Sequence, residues 1–232
     1  MNFAKTILAT FLLIAINITQ ADTIAVIGSG DVASALGPEF ALQGHKIIYG
    51  SRKPSKKTVL DLVAVTGHGA QAMTPGAAAS QADIVVLAVP GLLVEDITRG
   101  LGDLSGKIII DPTNPLVESG KSLKHGVASS NTKIIQAAAP NAFVVKAFNT
   151  LNWQTMIDPG ESGGPVTIPL VGNSDEAKKT VAELVEGMGL EAIDLGGVEN
   201  ARWVEGMLIL WINNRYGSDR EAFEFHLRKR DK

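Results

Sequence analysis

Short apolar runs and amphipathic stretches alternate along the chain, and this alternation predicts strands and helices in turn. The segment at residues 83–90 has an uninterrupted apolar centre, which is typical of a parallel strand buried on both faces. Further strands are predicted at residues 23–28, 45–50, 70–73, 107–111, 143–147, 168–172 and 191–195. Helices are predicted after the first strand and at residues 58–66, 75–82, 92–101 and 129–138. The pattern predicts an α/β fold of Rossmann type, with a doubly wound, mostly parallel sheet and right-handed crossovers.

The last third of the chain predicts a short α/β extension. A helix begins after residue 172, capped by Asn173 or Ser174, with acidic residues in its first turn. Its inward face is predicted to consist of Ala177, Val181, Leu184, Val185 and Met188. A final long helix, from about residue 198, contains a stretch at residues 207–212 that is apolar on every side. Either the sheet and a second subunit cover this helix, or it is buried within its own monomer.

Length and composition are those of one globular domain. The chain has 232 residues, of which 45% are apolar, and a net charge of −3. We expect a single domain at residues 22–232, with a dinucleotide-binding core at 22–150 and the extension at 151–232. Mild acidity without a basic stripe disfavours nucleic acid as a partner. The absence of cysteine excludes disulfides and thiol catalysis, and the four histidines show no metal-ligand spacing.

The turn between the first strand and the first helix is rich in small residues. It reads Gly-Ser-Gly-Asp-Val-Ala from Gly28 to Ala33, which is a dinucleotide-binding pattern. Gly28 permits a tight turn, Gly30 lets backbone N–H groups approach a pyrophosphate, and Ala33 lets the helix pack on the strand. The phosphates are then expected at the N-terminus of this helix.

The residues that follow the second strand indicate which dinucleotide is bound. A free ribose 2′-hydroxyl calls for Asp or Glu about 20 residues after the first glycine. This chain instead has Ser51, Arg52 and Lys53, and then Lys56 after a proline. Arginine grips a phosphate in a planar fork, and lysine adds compact positive charge. The sequence therefore predicts NADP(H) rather than NAD(H); the alternative is that these residues form only a solvated turn.

Other candidate site residues follow later strands. Ala88, Val89 and Pro90 are expected to border the cofactor, because ligands of such sheets bind beyond the carboxyl ends of the strands. The motifs at residues 111–115 and 148–150 occupy equivalent positions. They are either walls of the site or turns whose Asn and Thr side chains satisfy backbone groups. Trp203 and Trp211 are expected to be packing residues rather than a platform for a flavin.

The first 21 residues differ in character from the rest. Lys5 precedes an uncharged, apolar segment at residues 6–18, and small residues follow at Thr19 and Ala21. This pattern predicts a signal peptide cut before Asp22, and therefore an exported protein, periplasmic or secreted. The alternatives are a cytoplasmic protein or one anchored by an uncleaved leader. Export conflicts with a cytosolic cofactor, since the leader lacks the paired arginines that mark export of folded proteins.

With these elements placed, the chain resembles the NADP oxidoreductases related to the NADPH-dependent deazaflavin (coenzyme F-420) reductase. The same domain recurs as the oxidoreductase domain of the six-transmembrane epithelial antigen metalloreductases. The matching segments are residues 24–36, 50–53, 86–90, 110–116, 145–151, 170–172 and 201–205. They lie between residues 23 and about 228, and their combination is specific for the family.

The resemblance implies roles for individual residues. The pyrophosphate would be bound, mainly through backbone groups, by Ser29, Gly30, Asp31 and Val32. The 2′-phosphate would be bound by Ser51, Arg52 and Lys56, and the nicotinamide would be surrounded by Ala88, Val89, Pro90, Asn114, Ala147 and Asn149. Hydride would pass directly between the nicotinamide and a stacked flavin or deazaflavin ring, so that positioning supplies much of the catalysis. No dedicated acid–base residue is required, and none is assigned.

Two departures from the family pattern affect the cofactor turn. Asp31 stands where the family usually has a neutral Asn, which places a carboxylate near the pyrophosphate unless Asp31 is a helix N-cap that points aside. Gly37 and Pro38 are expected to interrupt the first helix. Both departures bear on cofactor affinity.

The expected function is that of an NADPH-dependent oxidoreductase whose acceptor is a deazaflavin, a flavin, or a small carbonyl or imine compound. Hydroxyacid dehydrogenases and imine reductases share the first half of the pattern but add a long helical domain, whereas about eighty residues follow Ala147 here. A different class is a non-catalytic NADP-binding sensor or redox partner. The expected partners are a small-molecule electron acceptor and a second copy of the chain, bound through the C-terminal helix; a membrane is expected only with an uncleaved leader.

Overall fold

The structure, a computed structural model, describes residues 21–216 and 221–230. The predicted leader, apart from Ala21, lies outside the described residues. The strands are β1 Thr23–Ile27, β2 Lys46–Gly50, β3 Gln71–Met73, β4 Ile84–Leu87, β5 Ile108–Asp111, β6 Leu116–Ser119, β7 Ser122–His125, β8 Phe143–Lys146, β9 Thr167–Leu170 and β10 Glu191–Asp194. The α-helices are α1 Asp31–Leu42, α2 Lys57–Thr66, α3 Pro75–Ser80, α4 Val94–Arg99, α5 Asn131–Ala138, α6 Trp153–Ile157, α7 Asp175–Gly187 and α8 Ala201–Arg215. Within these ranges, no helix is both long enough and apolar enough to span a bilayer.

Six strands form a single sheet in the order β3-β2-β1-β4-β5-β8. Every neighbouring pair is parallel, so the carboxyl ends of all six strands lie at one edge. The chain changes direction across the sheet between β1 and β4, which is where doubly wound sheets bind their ligands. The predicted Rossmann-type sheet is confirmed.

Both faces of this sheet are buried, which explains the uninterrupted apolar runs. Ile24 and Val26 of β1 belong to a core that includes residues of α1 and α7. Ala25 and Ile27, the alternate residues, belong to a second core that includes residues of α3 and α5. Successive side chains of a strand point to opposite faces, so a strand covered on both sides needs apolar residues throughout.

Helix α1 runs without a break from Asp31 to Leu42, and the predicted interruption at Gly37 and Pro38 is wrong. Pro38 removes a backbone donor but stays within the helix. A Cβ at position 37 would lie 2.0 Å from the Tyr49 hydroxyl oxygen, so glycine lets this helix approach β2 closely. Tyr49 pairs with the Thr66 hydroxyl at 2.7 Å, and burial raises the pKa of Tyr49 to about 12.

The C-terminal extension contains its own two-stranded parallel sheet, β9 and β10. An antiparallel bridge between Lys146 and Val171 connects it to the main sheet. Of the two predicted caps, Ser174 caps α7, and its Oγ accepts the N–H of Ala177 at 3.2 Å. The predicted inward residues of this helix, Ala177, Val181, Leu184, Val185 and Met188, are all buried.

Residues 221–230 lie along the edge of β9 that β10 leaves open. The N–H of Thr167 donates to the carbonyl of Phe225 at 2.9 Å, and its hydroxyl accepts the N–H of Leu227 at 2.9 Å. Arg228 pairs with Glu191 of β10 at 2.6 Å. The end of the described chain therefore covers the outer edge of β9 in the C-terminal extension.

The hairpin of β6 and β7 was not predicted from the sequence. Its two-residue turn contains Gly120 at a φ of 61°, a conformation that favours glycine. The Ser-Gly pair at 119–120 was the available signal for a turn. The hairpin packs on α8, where the Asn213 side chain pairs with both the N–H and the carbonyl of Leu123, each at 2.8 Å.

Helix α8 is buried along one face, which includes Val204 and Leu208. Trp211 is buried as predicted, and its indole N–H donates to Glu224 at 3.0 Å. Trp203 is 72% exposed and Leu210 is 61% exposed, so the predicted packing role of Trp203 is wrong within the described chain. The reason is helical geometry, because Trp203 lies off the face that contains Val204, Leu208 and Trp211.

Candidate functional site

Gly28 follows β1 and lies against the carboxyl ends of β2 and β4. Its φ is 122°, a conformation open mainly to glycine, and an added Cβ would lie 2.1 Å from the Ala88 carbonyl oxygen. Its N–H donates to the carbonyl of Gly50 at 2.9 Å. The turn therefore brings the residues after β1 against the residues after β4 and β2, as the predicted site requires.

Gly30 is the N-cap of α1, and no side-chain hydrogen bond caps this helix. A Cβ on Gly30 would meet no atom within 4 Å, so the approach to this helix end is open. The first backbone N–H groups of a helix lack intrahelical acceptors and favour anions. Asp31 is the first helical residue and is exposed, so it is not the N-cap. These features fit a pyrophosphate bound by the backbone of residues 28–32.

The loop after β2 presents cations that are free of ion pairs. Arg52, Lys53 and Lys56 are exposed, and none of them belongs to an ion pair formed among residues 21–216 and 221–230. Lys57, by contrast, is paired with Asp61 at 2.8 Å. Backbone bonds hold the loop. They run from the Ser51 N–H to Met73 at 2.9 Å and from the Lys56 N–H to Lys53 at 3.0 Å. Unpaired cations on a held loop fit a phosphate group.

The predicted residues of the nicotinamide end lie together. Asn114 and Asn149 pair through their side chains at 3.0 Å, and the Asn114 amide also donates to the Asn149 carbonyl at 3.1 Å. An added Cβ on Gly91 would lie 2.0 Å from the Asn114 carbonyl, which places the segment after Pro90 against the same loop. The Ala147 N–H donates to the carbonyl at the end of β5 at 3.2 Å. Both asparagines satisfy backbone groups while they lie at the predicted wall.

The segment after β8 combines backbone strain with unpaired polar atoms. Phe148 has a φ of 61°, a rare conformation for a bulky residue and one that recurs at functional sites. The Asn149 amide nitrogen donates to the carbonyl of Val204 at 3.2 Å, which fixes the orientation of the amide. Within the described chain, Asn149 Oδ1 and Thr150 Oγ1 are buried without a hydrogen-bond partner. A ligand that carries an amide donor, such as a nicotinamide carboxamide, fits these orphaned acceptors.

Behind this wall lies a cluster of buried charges that the sequence analysis missed. Lys146 Nζ is 2.9 Å from Asp111 Oδ2, 3.3 Å from Glu205 Oε1 and 2.8 Å from the Thr113 carbonyl. Asp111 also accepts bonds from the hydroxyls of Thr113 at 2.6 Å and Thr132 at 2.8 Å. All three charged side chains are fully buried. Each of these charges is therefore paired and hydrogen-bonded, as burial requires.

Glu205 extends the cluster to two further elements. Its Oε1 accepts the N–H of Asn131 at 2.8 Å, and its Oε2 lies 2.6 Å from His125 Nε2. The available sequence signal was a charged residue at the end of each apolar strand, Asp111 in β5 and Lys146 in β8. No sequence pattern indicated that residues so far apart as His125 and Glu205 pair. No set of three His, Asp or Glu side chains within residues 21–216 and 221–230 is arranged to hold a metal ion.

The chain is similar in sequence to known NADP reductases. A family described as NADP oxidoreductase, coenzyme F420-dependent, matches residues 23–115. The F420-dependent NADP reductase of Methanothermobacter thermautotrophicus is 31% identical over 207 residues, which cover 82% of this chain and 88% of that protein. Metalloreductase STEAP3 of Rattus norvegicus is 30% identical over 191 residues, or 81% of this chain, and the chain spans 36% of that protein's length.

A solved structure from Arthrobacter sp. FB24, provisionally described as an F420-dependent NADP reductase, superposes with a TM-score of 0.81. It is 30% identical, and the match covers 90% of this chain and 100% of that one. A reductive aminase from Aspergillus terreus superposes with a TM-score of 0.62 at 18% identity, a likeness that concerns the fold alone.

Proposed function

The chain belongs to the family of coenzyme F420-dependent NADP oxidoreductases, and we propose that it transfers hydride between NADP(H) and a flavin-like or deazaflavin acceptor. The observation that carries the proposal is the Gly28–Gly30 turn, open at the helix end, beside a loop whose cations form no ion pair with the described residues. A turn of this kind takes the pyrophosphate, and the cations distinguish a 2′-phosphate from a free hydroxyl.

Each part of the site has a separate task in this proposal. The amides at the start of α1 bind the pyrophosphate, and Arg52, Lys53 and Lys56 bind the 2′-phosphate. The residues around Asn114 and Asn149 orient the nicotinamide end. The bound cofactor supplies the hydride, so the protein contributes binding, orientation and exclusion of water.

The names of the relatives guide the choice of acceptor. The relative matched over most of its length is an F420-dependent reductase, which favours a deazaflavin. The metalloreductase is matched over 36% of its length, so the acceptor of that whole protein carries little weight here. A non-catalytic NADP-binding protein is the competing function.

The proposal is tested by anaerobic oxidation of NADPH with a deazaflavin, with FMN, and with a cyclic imine as the alternative substrate class. NADPH deuterated at the transferred position should slow a direct hydride transfer and place deuterium in the reduced deazaflavin. We expect turnover with the deazaflavin and with FMN, and none with the cyclic imine. Turnover with the imine alone, or tight NADPH binding without turnover, would contradict the proposal and favour the competing functions.

A further inference from the structure

Glu205 joins three elements behind the nicotinamide end of the candidate site. Its carboxylate is fully buried and contacts Lys146 of β8, the backbone N–H of Asn131 at the start of α5, and His125 of β7. These elements are far apart in sequence, and the carboxylate sits in the first part of α8. A single side chain thus connects α8 to β8, α5 and β7.

His125 links Glu205 to the segment after β7. Its Nε2 lies 2.6 Å from Glu205 Oε2, a contact that needs a proton between the two atoms. Its Nδ1 lies 2.8 Å from the Val127 carbonyl and 3.2 Å from the Arg202 guanidinium, which itself donates to the Val127 carbonyl at 3.0 Å. Both ring nitrogens of His125 therefore have polar partners, and the imidazole is held in place beside the carboxylate.

Glu205 is coupled to each loop of the nicotinamide wall through one intermediate. The preceding residue, Val204, accepts the Asn149 amide through its carbonyl at 3.2 Å. Asn131, whose N–H binds Glu205, donates its side-chain amide to the Gly91 carbonyl at 2.9 Å. Lys146, bound to Glu205, also donates to the carbonyl of Thr113, the residue before Asn114. The loops after β4 and β5 are therefore each linked to the Glu205 carboxylate through one residue, and the loop after β8 is bonded to the adjoining backbone of α8.

We propose that Glu205 is a positioning residue for hydride transfer, which keeps the nicotinamide wall at a fixed distance and angle from the acceptor. The inference rests on the proposed function. No bond connects Glu205 to Arg52 or to the Gly28 turn among the described residues, so it acts on the reacting end and little on cofactor affinity. A misplacement of about 1 Å costs on the order of a hundredfold in rate.

Two variants of Glu205 and one control separate positioning from folding. In Glu205→Gln, the amide oxygen still accepts from Asn131 and the amide nitrogen donates to a neutral His125, so the connections persist. Glu205→Leu removes all of them. Lys178→Met is the matched control, because it removes a buried lysine that is ion-paired with Asp194 at 2.8 Å in the C-terminal extension.

Three quantities are measured on the full chain: the Kd of NADP⁺, the fluorescence emission of bound NADPH, and the single-turnover rate of hydride transfer. For Glu205→Leu we expect a rate reduced by about thirtyfold or more, a Kd changed by less than about threefold, and emission shifted toward that of free NADPH. Glu205→Gln should stay within about threefold of the wild-type rate, and Lys178→Met within about twofold.

The inference is overturned if Glu205→Leu keeps the wild-type rate and emission, if its rate falls and its Kd rises by similar factors, or if Lys178→Met shows the same loss of rate. Should Glu205→Leu not fold, His125→Leu removes one connection at the rim of the cluster, and an unchanged emission and rate would also overturn it. A wild-type chain that binds NADPH without transferring hydride contradicts the proposed function instead. In that case the emission of bound NADPH still decides whether Glu205 positions the ring.

Discussion

At the 2′-phosphate end of the candidate site, Arg52 and Lys53 are exposed and join no ion pair of the described chain, whereas Lys146 at the nicotinamide end is buried between two carboxylates. The first arrangement leaves the cations available for a ligand. In the second arrangement, the cation forms ion pairs within the protein. An exposed cation gains little from a surface pair, while a buried one is costly unless it is paired. In the proposed site, the exposed cations at one end are available to a cofactor phosphate, and the paired charges at the other end hold the geometry of the protein.

Lys146→Met should destabilise the fold, because it removes the cation of the buried charge cluster. Removing this cation leaves Asp111 and Glu205 without their shared partner, and we expect a loss of about 3–5 kcal/mol in the free energy of unfolding. Denaturant unfolding followed by circular dichroism measures it. Lys53→Met is the control at the exposed end and should change stability by no more than about 0.5 kcal/mol. Similar losses for the two variants would contradict the comparison.

Gly28→Ala tests the turn that lies between the two ends. A Cβ there would lie 2.1 Å from the Ala88 carbonyl at a φ of 122°, so we expect a stability loss of about 3 kcal/mol. Gly30→Ala is the matched control, because its Cβ would meet no atom within 4 Å. It should leave the thermal midpoint nearly unchanged and weaken NADP⁺ binding alone. A stable Gly28→Ala protein would show that this turn is not as tight as described.

Arg52→Ala should weaken NADPH binding by about 2–3 kcal/mol, roughly thirtyfold to more than a hundredfold, because it removes charge-assisted bonds to the 2′-phosphate. NADH binding should change little, and Arg52→Asp should favour NADH further. Lys57→Ala removes a cation already paired with Asp61 and serves as the control. Titrations at fixed salt compare the variants, since exposed charges are screened. Equal loss of both cofactors would show that residues 51–53 are only a solvated turn.

The smallest expected effect concerns the ionisation of Tyr49, which tests how closely Gly37 of α1 packs on β2. Its pKa is raised to about 12 by burial, so the stability that its protonated phenol contributes is present below pH 10 and is lost as the pH rises towards 12. Ultraviolet titration should show the tyrosinate of Tyr49 forming only as the pH approaches about 12, and Tyr49→Phe should remove this late step. A late step that persists in Tyr49→Phe, or a Tyr49 tyrosinate that forms near the usual pH of about 10, would contradict the burial.

The positions of the predicted site residues could be read from the sequence, whereas the buried charge cluster behind them could not. Gly28 and Arg52 stand where local spacing puts them, and their roles toward the cofactor stay predictions. Asn114 and Asn149 lie together because parallel strands end at one edge, and their role at the nicotinamide stays a prediction. The pairing of His125 with Glu205 depends on how a hairpin packs on α8, and no local pattern reports that. The break at Pro38 was wrongly expected because a local rule ignored the packing of Gly37 on Tyr49.

The contact between residues 221–230 and β9 has a consequence for synthesis of the chain on the ribosome. The N–H of Thr167 is paired with the carbonyl of Phe225, which is translated nearly sixty residues later. Until then, this strand exposes an edge that can recruit a strand from another nascent chain. Products truncated before residue 221 should therefore associate with one another even where the Rossmann-type sheet itself has already folded.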